Sequence, residues 1–379
     1  MNSRRTRLQS ALAVITTVLV LVPAGVLFTR VWQENSDQRD RTESERHGVE
    51  YLSALTPLIS SLTEAQSTAL QGVSEPPGSL KTAVAKVADT DARLGKELET
   101  TQRWTGLQDR IGKLTKLTGN PVTIYQSYVQ ATDLALALYV AVRRGSKLNH
   151  DPANDVSNLQ QAVAVDMPTT VVRVGRMGDL ANLMQAVPGP TRTRLAAQFG
   201  HEVLAVQESV NRLTDNLQAA VDDTTSDTLS GGLVTTLDSF RRGVESMTRG
   251  ANPGGTPNAA TMSTAQTTLQ TALASLAGVS LKEMEGLLAE RMDKLDYRRL
   301  EALGAAAAAL LLVLLAVFLP ALVRRRDPEP VARPMPGETT RDVVLNRPGP
   351  GGFGHSPYDQ APVNGEVDPT SRERSGALR

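Results

Sequence analysis

The chain has 379 residues, with 40 basic and 40 acidic side chains, and aromatic residues make up only 3% of it. The balanced charge gives no long-range positive field, so the composition argues against nucleic acid as a partner. Cysteine is absent, and an exported domain of this chain must therefore gain its stability from packing and not from disulfides.

Two uncharged stretches of 22 residues lie near the ends of the chain, at 8–29 and 302–323. As a helix, each would extend roughly 33 Å, which is enough to cross a hydrocarbon core of about 30 Å. We therefore predict two transmembrane helices with membrane lipid around them. The first stretch could instead be a signal peptide, but its long apolar core lacks a small-x-small cleavage site, which favours an uncleaved anchor.

Arginines flank both stretches, Arg4, Arg5 and Arg7 before the first and three consecutive arginines, 324–326, after the second. Basic residues beside a span tend to remain cytoplasmic. We therefore expect a protein of the inner (plasma) membrane that crosses it twice. Its N-tail (1–7) and C-tail (324–379) would be cytoplasmic, and residues 30–301 would form an extracytoplasmic domain.

The segment between the two stretches shows helical periodicity throughout. From Val49 to Leu70, apolar residues recur every three or four positions, which predicts an amphipathic helix continuous with the first span. Breakers separate the other predicted helices, at about 80–117, 122–144, 155–187 with an interruption near Met167-Pro168, 191–221, 233–248, and 259 onward into the second span.

No segment alternates with a period of two, so the predicted fold is all-α. We expect two transmembrane helices framing an elongated extracytoplasmic helical bundle. The number of chain breaks favours two bundles stacked end to end. The tail at 324–379 is rich in Pro and Gly, has few apolar residues, and is predicted to be disordered.

The tail contains one candidate modification site. Thr339 and Thr340 follow Glu338, and the stretch resembles bacterial phosphothreonine sites that forkhead-associated domains read. A phosphate there would add about −1.5 to −2 charges and three strong acceptors. The alternative interpretation is a chance Thr-Thr pair in a polar linker.

Motifs for catalysis, cofactors and metals are weak or absent in the sequence. The GPGGFG stretch at 349–354 formally fits GxGxxG, but it lacks the preceding strand and following helix that a dinucleotide site needs. The four histidines include no i, i+4 pair, and neither a serine nucleophile elbow nor HExxH occurs. We therefore expect no enzyme activity, no catalytic residue, no cofactor and no metal.

Three segments carry a family resemblance: ERHGVEYL at 45–52, SKLNHDP with Asp155 at 146–155, and Pro168 followed by GRMG at 175–178. In order and spacing they resemble the extracytoplasmic helical sensor domains of bacterial chemoreceptors and sensor histidine kinases, over roughly residues 40–180. The resemblance implies a sensing or binding architecture. Only 56 residues follow the second stretch, so we expect the sensor architecture without a cytoplasmic transmitter.

Arginine and tyrosine side chains on bundle helices are the candidate binding residues. Arginine can clamp a small anion bidentately, and tyrosine can close the pocket. The candidates are Arg46, Tyr51, Tyr128 and Arg176. In the loop before residue 155, we expect Asp151 to shape the turn, Pro152 to break the chain, and Asn154 or Asp155 to cap the next helix.

The leading hypothesis is a sensor-like protein that binds a small, anionic ligand or a partner and signals through helices continuous with the spans. We expect a homodimer and an unknown protein partner, in the cytoplasm or in the membrane, that receives the signal. The alternative is a structural or scaffolding protein of the cell envelope that has no small-molecule ligand.

Overall fold

The computed structural model describes residues 2–73, 75–115, 117, 119–149, 151–224, 227–252 and 256–323. Within these ranges, the side chains of 2–14, 16–18, 20, 227–230, 316–317 and 319–323 are not described. The helices are α1 (Asn2–Leu70), α2 (Gly78–Leu94), α3 (Thr101–Leu114), α4 (Pro121–Gly145), α5 (Asn154–Gln161), α6 (Met167–Ala186), α7 (Gly189–Asp223), α8 (Asp227–Ala251) and α9 (Ala259–Val323). A π-helical turn covers Ala162–Asp166. These ranges contain no strand, which confirms the all-α prediction.

Two predicted helix boundaries are wrong. The helix expected at 80–117 is divided by a turn between α2 and α3, where Glu99 has a φ of +56°. In contrast, Gly231 and Gly232 lie inside α8 and do not begin a new helix. A Cβ on Gly232 would lie 3.2 Å from Val279 Cγ1, so this glycine allows α8 to approach α9 closely.

The interruption predicted near Met167-Pro168 takes the form of the π-helical turn at Ala162–Asp166. Pro168 has no N–H, so it cannot donate to the carbonyl four residues earlier. A π-helical turn adds one residue to the turn and is a usual way to relieve such a mismatch. The helical path therefore continues into α6 instead of ending.

The helices pack side by side along α1 and bury one continuous hydrophobic cluster. On α2, Ser79 Oγ donates to Glu64 at 3.1 Å. On α9, Gln266 Nε2 donates to Ser67 Oγ at 3.2 Å, and Arg39 Nε on α1 bonds to Asp296 at 3.1 Å. The helices α2, α6 and α9 therefore lie side by side at residues 64–67 of α1. The stacking of two bundles end to end stays a prediction.

The helices α1 and α9 continue from the predicted spans into the bundle without a break, as expected from the sequence. In the part of the chain that the structure describes, no helix reaches the length and apolarity of a membrane span. Within the predicted spans, the side chains of residues 8–14 and 319–323 are among those that the structure does not describe. The two transmembrane helices therefore stay a prediction. The tail and its candidate residues Thr339 and Thr340 lie outside the described residues.

The described residues up to Pro320 form one compact unit. Within this unit, the largest fully buried side chains include Tyr51, Tyr139 and Phe240. Few aromatic side chains are available, so most of the core consists of leucine, valine and alanine packed between helices.

We expect Gly145→Ala to destabilise the fold by about 1–3 kcal/mol, the cost of forcing extra atoms into a packed site. A Cβ at Gly145 would collide with the carbonyl oxygen of Leu98, a backbone atom that cannot rotate away. Thermal unfolding of the purified chain measures the effect. The matched control is Gly106→Ala, which meets no atom within 4 Å and should stabilise α3 by about 0.5–1 kcal/mol. Equal stability changes in both variants would contradict this packing analysis.

Candidate functional site

A cleft of about 660 Å³ lies between the start of α4, the second half of α6 and the first half of α7. This volume falls within the range of roughly 300–1,000 Å³ that small-molecule sites occupy. On α7, the lining residues are spaced three or four apart and share one helix face. The lining residues are Tyr125, Gln126, Val129, Gln130, Arg176, Leu180, Arg194, Ala197, Gln198, His201 and Glu202.

Arg176 on α6 is anchored at the edge of this cleft. Its Nη2 donates to the carbonyl of Val129 at 3.2 Å, to Thr132 Oγ1 at 2.8 Å and to Asp133 Oδ1 at 2.5 Å. The guanidinium is thereby fixed against α4 through one nitrogen. Its Nε is buried and has no hydrogen-bond partner among the described residues, so this donor is unsatisfied within the fold.

Glu202 on α7 places a carboxylate in the same cleft. Its Oε2 is buried and accepts no hydrogen bond from the residues that the structure describes. Burial raises the pKa of this carboxyl, and the positive charges of Arg176 and Arg173 oppose that rise. Burial also raises the pKa of Tyr125, so its phenol stays protonated and can donate. The cleft therefore offers both cationic and anionic groups.

A second polar cluster joins α1 to α9. Arg291 on α9 donates to both oxygens of Asp151, at 2.5 and 2.9 Å, and lies 3.4 Å from Glu45 Oε2 on α1. Both carboxylate side chains are fully buried. Burial, with the nearby negative charge of Asp151, raises the pKa of Glu45 to about 7.

A third cluster surrounds Asp179 on α6, which is 1% exposed. Its carboxylate accepts from Gln66 Nε2 at 2.8 Å and from Ser67 Oγ at 2.7 Å, both on α1. Gln266 on α9 completes the network through Ser67. Neutral donors do not offset the loss of solvation, and burial raises the pKa of Asp179 to about 7.

The structure does not bring the four candidate binding residues together. Arg46 is exposed on α1, in a groove that it shares with acidic side chains such as Glu50 and Glu285. Tyr51 is fully buried and donates to Asp91 Oδ1 at 2.7 Å, so it holds α1 against α2. Tyr128 is 3% exposed and does not line the cleft. Of the four, only Arg176 lines it.

The loop residues have partly different roles from those expected. Asp151 Oδ1 accepts from the amide of Ala153 at 2.8 Å, an Asx-turn, in addition to its ion pair with Arg291. Pro152 is exposed in this loop. The expectation that Asn154 or Asp155 caps α5 is wrong, because Ala153 precedes the helix and both residues lie in its first turn. There the negative charge of Asp155 is favourable beside the helix N-terminus.

Sequence reasoning missed three residues of these clusters: Asp179, Glu202 and Arg291. Asp179 carried a signal, since it is the only acid between Met167 and Ala186. Arg291 lies between Leu288 and Leu295 of an apolar stripe, which also marks an unusual charge. Glu202 gave no comparable signal. Among the described residues, no group of three or more His, Asp or Glu side chains could hold a metal ion.

We expect Asp179→Asn to raise stability at pH 8 and to leave it nearly unchanged at pH 4. Because its pKa is raised in the folded state, folded protein binds more protons than unfolded protein between about pH 4 and 7, so stability falls as pH rises through this window. An amide carries no charge to bury, and it can also donate to Gln66 Oε1, which is buried without a partner among described residues.

The expected gain at pH 8 is roughly 1–3 kcal/mol, because a pKa unit is worth about 1.4 kcal/mol and an amide accepts weaker hydrogen bonds than a carboxylate. Chemical denaturation at several pH values measures it. Asp109→Asn on the exposed face of α3 is the control and should change neither value. A loss of stability at pH 8 in Asp179→Asn would show that the carboxylate itself is required.

Comparisons of the chain with known protein families, with curated proteins and with solved structures found no match. They therefore do not test the resemblance of residues 40–180 to bacterial sensor domains, which stays a prediction. The function has to be inferred from the cleft, from the two buried polar clusters, and from the helices that connect them.

Proposed function

We propose that this chain is a bacterial two-span membrane protein whose extracytoplasmic helical domain binds a small ligand and transmits the bound state through α1 and α9. One observation carries the proposal. Both helices run unbroken from the bundle core, where buried polar groups join them, into the two uncharged stretches at 8–29 and 302–323. A shift of one helix against the other would therefore reach the far end of both stretches.

Exposed apolar side chains support the membrane part of this proposal. Large hydrophobic residues of both stretches are more than half exposed, among them Leu19, Val22, Leu310 and Phe318. Contact with lipid would remove this surface from water. At the outer boundary, the Arg299 guanidinium lies 4.6 Å from the ring centroid of Trp32, an amphipathic pair suited to the interface.

The contacts between α1 and α9 near this boundary are weak enough to permit a shift. Asn35 Nδ2 donates to the carbonyl of Leu295 at 3.3 Å, and Arg39 pairs with Asp296 at 3.1 Å. Exposed ion pairs of this kind contribute about 0–1 kcal/mol. A ligand can shift the equilibrium between the two helix arrangements only by the difference between its binding free energies for them.

The output would come from a partner that reads α1 and α9 at the membrane or on the cytoplasmic side. The tail at 324–379, with Thr339 and Thr340, is the proposed place for such recruitment on the cytoplasmic side. A homodimer would bring two α1–α9 pairs side by side in the same membrane. In this proposal the protein performs no catalysis.

We expect the loop after Asn252 to be extracytoplasmic and Arg379 to be cytoplasmic. Alkaline phosphatase, which is active only outside the cytoplasm, should be active when fused after Asn252 and inactive when fused at Arg379. A reporter that fluoresces in the cytoplasm should give the reverse pattern. Phosphatase activity at Arg379 without activity at Asn252 would refute the topology and with it the transmission across the membrane.

Small ligands should stabilise the purified full chain against heat. The panel consists of amino acids, organic acids, nitrate and nitrite. A compound that binds should stabilise the chain by about 2.7 kcal/mol once its concentration reaches a hundredfold excess over its Kd. Arg176→Ala should abolish the shift because Arg176 lines the cleft, whereas Arg46→Ala should preserve it because Arg46 lies outside. If no compound shifts the unfolding temperature, the scaffolding function replaces the sensing function.

A further inference from the structure

The cleft between α4, α6 and α7 contains charges of both signs on facing helices. Arg194 and Glu202 both lie on α7, eight residues apart and therefore on the same face, while Arg176 lies on α6. His201 also lines the cleft. A ligand in this space meets at least two cationic groups and one carboxylate.

Glu202 makes the cleft a poor site for a simple anion. Its buried Oε2 lacks a hydrogen-bond donor among the described residues, and a second negative charge placed beside it would add repulsion in a partly desolvated site. A simple cation would in turn face Arg176 and Arg194. Each kind of singly charged ligand therefore meets like charge in the cleft.

The same groups match a ligand that carries both charges. The carboxylate of Glu202 can accept from an ammonium group. The guanidinium groups of Arg176 and Arg194 can donate to a carboxylate. Val129, Leu180 and Ala197 add an apolar wall to the cleft. This wall would contact a hydrocarbon side chain.

We propose that the cleft binds a small zwitterion, of which a free α-amino acid is the simplest example. The ligand's ammonium group pairs with Glu202, and its carboxylate pairs with Arg194 and Arg176. The inference rests on the proposed sensing function, since it names the ligand class and the site at which that function begins. It also replaces the anionic ligand expected from the sequence, because that expectation took no account of Glu202.

Matched ligand derivatives test this pairing on the full chain. Each of the twenty common amino acids is compared with its N-acetyl form, which lacks the ammonium charge, and its amide form, which lacks the carboxylate. We expect at least one free amino acid to raise the unfolding temperature and both of its derivatives to bind at least tenfold more weakly by calorimetry. Equal binding of an N-acetyl form and its parent would overturn the role of Glu202.

Variants then locate the site. Glu202→Gln and Arg194→Gln should each weaken amino-acid binding roughly tenfold or more, whereas Glu208→Gln and Arg192→Gln, exposed on α7 outside the cleft, should not. Glu202→Gln should in addition bind the N-acetyl derivative better than the unchanged protein does, which loss of folding cannot produce. Unchanged affinity in both cleft variants would overturn the assignment.

The outcomes separate this inference from the sensing function. Stabilisation by nitrate, nitrite or an organic acid, with none by amino acids, would overturn the zwitterion and leave sensing in place. Binding of amino acids that survives Arg176→Ala and Glu202→Gln would overturn the cleft but not the function. Absence of binding by every compound in both panels would overturn both.

Discussion

The pairing of α1 with α9 is the constraint on which the rest of the structure depends. These are the first and the last helix of the bundle, and the other helices lie between them in the chain. An apolar stripe alone would tolerate sliding by one turn, about 5.4 Å. The pairs of Glu45 with Arg291 and of Ser67 with Gln266 remove that freedom at both ends. Removing one partner of a buried ion pair costs about 3–5 kcal/mol, so the Glu45–Arg291 contact favours one register of α1 against α9.

The same contacts carry an electrostatic cost at neutral pH. Burial raises the pKa of both Glu45 and Asp179 to about 7, so deprotonation of either side chain works against the folded arrangement. Arg291 offsets this cost for Glu45 only in part, because it is already bonded to Asp151 through both of its terminal nitrogens. The α1–α9 contact is thus specific in register but not maximally stable, as the proposed shift of one helix against the other requires.

Periodicity and breakers predicted most of the helices but not the positions where packing overrides local preference. Gly231 and Gly232 resemble a breaker in sequence, yet both lie inside α8, and Gly232 permits close contact with α9. No local pattern contains that information. Arg176 was predicted as a binding residue and does line the cleft. Glu202 could not be predicted, because the cleft forms from helices that lie up to about 80 residues apart in the chain. The chemistry of a site on several helices depends on tertiary contacts.

Helix α6 links the cleft to the α1–α9 pair. Arg176 lines the cleft, and three residues later Asp179 bonds to Gln66 and Ser67 on α1. On the same helix, a Cβ on Gly175 would lie 3.2 Å from Thr63 Cγ2 of α1, and a Cβ on Gly178 would collide with Gln266 Oε1 of α9, so α6 lies directly against both helices. A ligand that draws Arg176 toward the cleft would therefore strain the bonds of Asp179. Because the contacts are direct, coupling from the cleft to α1 and α9 requires a small displacement of only one helix.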